Sequence, residues 1–166
     1  MAICYSLYLR EEKMITNRNL KFFQKARALT KYSDYRDVHI GCVIVSKNKI
    51  IGEGFNTYKT HPMQKKFDVF RDLNVKNEVS HLHALHAEIM ALASIKDTNV
   101  DLSKAEVYIY RKMKRKPFGM ARPCPACMQA LKLNGIKHIY YTSNNGLAYE
   151  NISLEAFEKI FKKDAV

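Results

Sequence analysis

The sequence predicts an α/β fold, with a mixed β-sheet and helices packed on its faces. An amphipathic helical pattern near the amino terminus is followed by two β-branched runs that form a hairpin. Helical and strand-like segments then alternate, and two of the helices follow one strand and lead into the next. The 166 residues suffice for one domain with its own core, so we expect a single domain over residues 1–166.

The first helix and the hairpin are the most regular parts of the pattern. The helix spans Asn17 to Thr30, with apolar residues at helical spacing: Leu20, Phe22, Phe23, Ala26 and Leu29. Two strands are predicted over Ile40 to Val45 and Ile50 to Phe55, with a polar turn between them. Gly52 and Gly54 lie on the same face of the second strand, which indicates that another backbone or a ligand approaches closely there.

Residues 57–85 form a polar segment with five basic side chains. A weak helical pattern runs from Met63 to Leu73 within it. The segment is too long for a bare loop in a compact domain, so we interpret it as a functional insertion with its own structure.

The second half of the chain continues the alternation. The predicted elements are a helix from His86 to about Ile95, a strand over Ala105 to Tyr110, a helix that begins at Pro125, a strand over Ile136 to Thr142 and a closing helix over Ser153 to Lys163. His86 would therefore lie in the first turn of one helix, and Cys124 and Cys127 in the first turn of another. Helix amino termini stabilise thiolates, so two such starts facing each other are suited to holding a metal ion.

Four of these residues form the motifs H-x-E and P-C-x-x-C: His86, Glu88, Cys124 and Cys127. Zinc prefers four tetrahedral ligands drawn from thiolate and imidazole, and a catalytic zinc keeps one position open. One histidine and two cysteines leave that position for water, whose pKa the metal lowers from about 15.7 toward about 7. Glu88 follows His86 by two residues, close enough to accept the proton of the water and pass it to a substrate nitrogen.

Simpler interpretations of the single motifs also exist. A C-x-x-C pair alone occurs in redox proteins and in structural zinc ribbons, but a ribbon needs a second pair. Cys4 and Cys42 are too far apart in sequence to supply one, and Cys42 lies in an apolar run that indicates an inert, buried thiol. His61, His81 and His83 could bind a second metal, but solvated or hydrogen-bonded histidines are the favoured interpretation.

The charge of the chain indicates a polyanionic partner. Lys and Arg number 28 against 16 Asp and Glu, which gives a formal net charge of +12. Nucleic acid and a phosphorylated small molecule both fit this charge, and so does a basic face that only contacts solvent. The densest run, residues 111–116, precedes the cysteines, and phosphate binding and a solvated face remain equal alternatives for it.

No apolar run approaches the roughly 20 residues that span a bilayer. The first nine residues lack the basic start and the cleavage site of a signal peptide. We therefore expect a cytoplasmic protein without a membrane partner.

From Leu20 to Lys163 the chain resembles the cytidine and deoxycytidylate deaminase superfamily, through the H-x-E and P-C-x-x-C motifs and the order of elements. The resemblance implies an α/β/α sandwich with a five-stranded mixed sheet, Zn²⁺ bound by His86, Cys124 and Cys127, and Glu88 as the proton shuttle. It also implies a homo-oligomer, and a sugar-binding role for Asn56, because Gly54-Phe55-Asn56 is similar to the family segment that follows the second strand.

Two branches of this superfamily share features with the chain. The segments around Asn56 and His86 resemble tRNA adenosine deaminases, whereas the insertion and Pro125 resemble deoxycytidylate deaminases. Arg122 departs from both branches, in which Ser, Thr or Glu is expected.

The sequence therefore predicts a zinc-dependent hydrolytic deaminase of a cytosine nucleotide such as dCMP, with a phosphorylated nucleoside as its substrate. The alternative within the same chemistry is a deaminase that acts on a base in tRNA or single-stranded nucleic acid. A second alternative is a zinc-containing nucleic-acid-binding module without catalysis, but such a module would have no use for Glu88.

Overall fold

In a computed structural model, the structure describes residues 14–71 and 83–152. The helices are α1 (Asn17–Leu29), α2 (Pro62–Phe67), α3 (Ala87–Ala93) and α4 (Pro125–Leu133). The strands are β1 (His39–Ser46), β2 (Lys49–Phe55), β3 (Thr57–Thr60), β4 (Ala84–Leu85), β5 (Glu106–Lys112), β6 (His138–Ser143) and β7 (Gly146–Asn151).

Five strands form one mixed sheet in the order β2-β1-β5-β6-β7. Strands β5 and β6 are parallel, and every other neighbouring pair in this sheet is antiparallel. Helix α4 lies in the crossover between the parallel pair, as parallel strands require. Strands β3 and β4 form a separate antiparallel pair.

Helices cover both faces of the sheet and divide the core in two. One face packs against α3 and α4 through aliphatic residues such as Ile44, Ile89 and Leu131. The other face packs against α1 and is aromatic, with Phe22 and Tyr108 among its buried residues. The predicted α/β/α sandwich with a five-stranded mixed sheet is confirmed.

The buried face of α1 differs from the prediction at one turn. Leu20 is 40% exposed, whereas Asn19 is only 4% exposed. The Asn19 side chain accepts hydrogen bonds from the backbone N–H and hydroxyl of Thr16 and donates one of 2.8 Å to the Tyr108 hydroxyl. A polar residue can therefore occupy the buried face because both its amide oxygen and its amide nitrogen are hydrogen-bonded.

Strands β3, β4 and β7 were not predicted, because each is short or lacks a clear apolar alternation. The weak helical pattern after Met63 corresponds to α2 and a 3₁₀ turn over Asp68–Phe70. Helix α3 ends at Ala93, two residues before the predicted end. The predicted closing helix, residues 153–163, lies outside the described residues.

Helix α3 packs closely against the glycine pair of β2, so of the two predicted alternatives, another backbone or a ligand, the structure shows a backbone. A Cβ at Gly52 would meet the carbonyl oxygen of Ala91, and a Cβ at Gly54 would meet that of Ala87. Both obstacles are backbone atoms of α3, which cannot rotate away as a flexible side chain would. The two glycines therefore determine how closely α3 approaches the sheet.

We predict that Gly54→Ala destabilises the protein by about 1–3 kcal/mol, because α3 must move to accommodate the added methyl group. The matched control is Glu53→Ala, at the exposed position between the two glycines, which should stay within about 0.5 kcal/mol. Urea unfolding monitored by circular dichroism measures both. Equal stability of the two variants would show that α3 is not held by this contact.

Candidate active site

The two predicted motifs lie at the starts of two helices. His86 is the N-cap residue of α3, with φ −81° and ψ 152°, and Glu88 lies in the first turn of that helix. Cys124 is the N-cap residue of α4, Pro125 follows it, and Cys127 lies in the first turn. Proline suits the first helical position, where no intrahelical N–H bond is lost. The predicted placement of the motifs at two helix starts is confirmed.

The three side chains predicted to bind zinc converge. The Nδ1 atom of His86 lies 3.4 Å from the Cys124 Sγ and 3.3 Å from the Cys127 Sγ. The ligand atoms of all three residues lie within 4.8 Å of one another. A tetrahedral zinc with the usual Zn–S and Zn–N bond lengths separates such atoms by about 3.6 Å. This group of side chains therefore fits a zinc ion that keeps one position open.

The electrostatics of the group favour a thiolate at Cys124. A hydrogen bond from the Cys127 thiol lowers the pKa of Cys124 to about 4, against the opposing effect of burial, and His86 adds to the lowering. Burial raises the pKa of Cys127. One thiolate is thus favoured before any cation binds, and a cation would stabilise the second, since thiolates rather than thiols are metal ligands.

Glu88 lies beside this group and is only 5% exposed. Burial raises the pKa of its carboxyl group above the usual range. A carboxyl group that holds a proton more readily than usual is suited to a general acid–base role.

Glu88, His86 and Cys124 line a pocket of about 280 Å³, together with Asn56 and Arg111. A larger, open groove of about 810 Å³ follows β2 and the end of α3, but it contains none of the motif residues. The smaller pocket is therefore the candidate active site.

Asn56 lies in the pocket wall, but both ends of its amide already bind the backbone. Its Oδ1 accepts a hydrogen bond of 2.8 Å from the Ile40 N–H, and its Nδ2 donates one of 2.7 Å to the Val38 carbonyl. These bonds secure the start of β1 to the end of β2. One Nδ2 hydrogen and one Oδ1 lone pair remain for a ligand. The sugar-binding role of Asn56 stays a prediction.

The two arginines of the pocket differ in their partners. Arg122, the departure from the family pattern, forms a bidentate ion pair with Glu150 of β7 at 2.8 and 2.7 Å. Arg111 donates a hydrogen bond to the Met120 carbonyl, but its buried Nε has no hydrogen-bond partner among the described residues. Sequence reasoning included Arg111 in a basic run without separating it from its exposed neighbours.

The insertion histidines have hydrogen-bond partners where they are described. His61 caps α2 by accepting a hydrogen bond from the Met63 N–H. The Nδ1 of His83 lies 2.7 Å from the Asp68 carboxylate. His81 lies outside the described residues. Within residues 14–71 and 83–152, the one group of three or more side chains suited to a metal is His86 with the two cysteines.

Known proteins match both the sequence and the fold. The family model described as the cytidine and deoxycytidylate deaminase zinc-binding region matches residues 16–143. A probable deoxycytidylate deaminase of Caenorhabditis elegans is 29% identical over 135 residues, covering 78% of this chain but only 61% of that protein. An uncharacterized deaminase from the luxG 3′ region of Aliivibrio fischeri is 28% identical over 127 residues, covering 76% of this chain and 74% of that protein.

Two solved structures show the same fold. The dCMP deaminase of cyanophage S-TIM5, in complex with dCMP and dUMP, has a TM-score of 0.55 at 19% identity. The match covers 78% of this chain and 84% of that one. The cytidine deaminase of Burkholderia pseudomallei has a TM-score of 0.54 at 16% identity, with coverage of 80% and 91%.

The fold and the convergent histidine and cysteines are features that this chain shares with a family of zinc deaminases. The chain belongs to the cytidine and deoxycytidylate deaminase family, whose zinc-binding region spans most of its length. No helix within the described ranges is both long and apolar enough to cross a membrane.

We predict that the purified protein holds about one zinc per chain and that Cys124→Ala loses it, because the site would keep only two ligands. Stability should fall with the metal, since metal binding and folding share free energy. Cys42→Ala is the control, because this buried thiol is not part of the group and zinc should be retained. Atomic emission on protein prepared without chelators measures the content. Full zinc content in the Cys124 variant would contradict the ligand assignment.

Proposed function

We propose that the protein deaminates a cytosine mononucleotide, such as dCMP or CMP, to the uracil nucleotide and ammonia. The observation that carries this proposal is the composition of one pocket. It is lined by His86 and Cys124, by the buried acid Glu88 and by Arg111. These are groups for hydrolysis at a ring carbon and for binding an anion on the same small ligand.

His86, Cys124 and Cys127 would hold the zinc ion, which when bound supplies a water-derived nucleophile near neutral pH. Glu88 would take one proton from that water and deliver it to N3 of the cytosine ring, and would then carry the second proton of the water to the departing amine. Burial of Glu88 keeps bulk water away from this transfer. The roles of all four residues are part of the proposal.

Arg111 is the residue that we assign to the 5′ phosphate. Guanidinium groups remain charged and bind phosphate oxygens through several N–H donors. Arg111 lines the same pocket as Glu88 and His86. Arg122 is less suited, because Glu150 already neutralises its charge. The names of the nematode relative and of the cyanophage enzyme, both deoxycytidylate deaminases, support the choice of a nucleotide.

A deaminase acting on tRNA or single-stranded nucleic acid is the second candidate. Four basic side chains after Arg111 are exposed, namely Lys112, Lys114, Arg115 and Lys116. Tyr35 lines the pocket and stacks on Tyr58 with ring centroids 4.1 Å apart. Exposed cations and stacked aromatic rings are the groups with which proteins follow a single strand.

We predict that Glu88→Gln keeps its zinc and its fold but loses deamination by about 10²- to 10⁴-fold, because an amide cannot carry the proton. Ammonia release from dCMP measures turnover, and metal analysis of the same sample confirms zinc content. Activity near that of the unmodified protein would remove Glu88 from the role of proton shuttle.

We predict that Arg111→Gln raises KM for dCMP by about 10- to 100-fold, since a hydrogen bond to a charged group contributes about 1.5–3 kcal/mol. Deamination of deoxycytidine, which has no phosphate, should change little. Arg115→Gln is the matched control, because Arg115 belongs to the same basic run but is exposed and does not line the pocket.

Equal losses on dCMP and deoxycytidine would contradict the phosphate assignment. Substrate affinity should also depend weakly on salt, with a slope of about −1 to −2 in log affinity against log salt. If an oligonucleotide or tRNA is deaminated with a steeper slope while dCMP and CMP are ignored, the polymer function replaces the mononucleotide function.

A further inference from the structure

Helix α2 and the 3₁₀ turn after it contain a buried hydrogen-bond network that ends at the backbone of His86. The Gln64 side chain is 0% exposed, and its Oε1 accepts a hydrogen bond of 3.0 Å from the backbone N–H of His86. Its Nε2 donates a hydrogen bond of 2.7 Å to Oδ1 of Asp68, which is 2% exposed. The other carboxylate oxygen, Oδ2, lies 2.7 Å from His83 Nδ1.

The donors and acceptors of this hydrogen-bond network allow only one orientation of the Gln64 amide. A backbone N–H can only donate and a carboxylate can only accept, so the Gln64 amide must turn its oxygen to His86 and its nitrogen to Asp68. Asp68 is held in turn by His83, and Arg71 lies 3.6 Å from the same carboxylate. The amide therefore cannot rotate without leaving buried groups unpaired, which is costly.

The geometry of the candidate metal site depends on the His86 backbone, where this hydrogen-bond network ends. His86 is an N-cap residue in extended conformation, and no side-chain hydrogen bond caps the helix there. Its Nδ1 is nevertheless within 3.4 Å of both thiol sulfurs. A small rotation of the His86 backbone would carry the ring away from them, and the Gln64 contact opposes such a rotation.

We propose that Gln64 and Asp68 are positioning residues that hold the backbone of His86 so that its ring stays in place for zinc. Neither residue lines the pocket, and Gln64 contacts the His86 backbone. Outer groups that orient a ligand typically change metal affinity by about 10- to 100-fold when they are lost. The buried hydrogen-bond network thus gives the segment around α2 a function at the metal site.

The test reverses the hydrogen-bond polarity of the pair. Gln64→Glu alone sets two carboxylates against each other, and Gln64→Leu alone removes the contact to His86. In the double variant Gln64→Glu/Asp68→Asn, the new carboxylate accepts from the His86 N–H and from the new amide nitrogen. The new amide oxygen still accepts from His83. All three contacts are therefore restored with donor and acceptor exchanged between positions 64 and 68.

The zinc dissociation constant of each purified variant is measured by competition with a chromogenic chelator. We expect both single Gln64 variants to bind zinc about 10- to 100-fold more weakly, and the double variant to return to within about threefold of the unmodified protein. Val43→Ala is the control for general destabilisation, because Val43 is buried on the opposite, α1-covered face of the sheet. It should lower stability without changing zinc affinity.

A second measurement does not depend on the metal. Hydrogen exchange of the His86 backbone amide in metal-free protein should be faster in Gln64→Leu and protected again in the double variant. If a single variant fails to fold, recovery of folding together with zinc affinity in the double variant supports the proposal. Unchanged zinc affinity and unchanged exchange in Gln64→Leu, or no recovery in the double variant, would overturn it. A protein that never binds zinc but shows the exchange pattern would instead contradict the metal assignment.

Discussion

The close packing of α3 on the glycine pair of β2 is the contact on which the site depends. Because Gly52 and Gly54 have no side chains, backbone carbonyl groups of α3 occupy the space beside the strand. The helix is therefore held at a fixed distance from the sheet, and its first turn carries His86 and Glu88. A side chain at Gly54 would meet the carbonyl oxygen of Ala87, the residue between His86 and Glu88.

The site combines two helix starts that the chain reaches from different directions. Helix α3 follows the short strand β4, whereas α4 lies in the crossover from β5 to β6. Their amino termini place positive ends of helix dipoles near the thiols, which adds to the stabilisation of a thiolate. The same arrangement buries Glu88, and this burial raises the pKa of its carboxyl group. The packing of the two helix starts therefore brings together both the predicted ligands and the predicted acid–base group.

The charge of the protein is distributed unevenly around the pocket. Glu150 neutralises Arg122, and this bidentate ion pair joins the segment just before Cys124 to β7. Arg111 lines the pocket, while the basic residues Lys112, Lys114, Arg115 and Lys116 are exposed. The high net charge therefore has two separable components, one suited to a small anion in the pocket and one suited to solvent or a larger polyanion.

The sequence by itself determined the α/β class, the hairpin, the glycine contact and the residues of the metal group, because periodicity, glycine placement and ligand chemistry depend on residue type and spacing. Only the tertiary structure showed that Asn19 rather than Leu20 is buried and that Gln64 reaches His86. Each of these depends on a partner outside its own local pattern, such as Tyr108, 89 positions beyond Asn19. Only the structure distinguished the partly buried Arg111 from its exposed basic neighbours. The reason is the same, because the burial of a side chain depends on which parts of the fold pack against it.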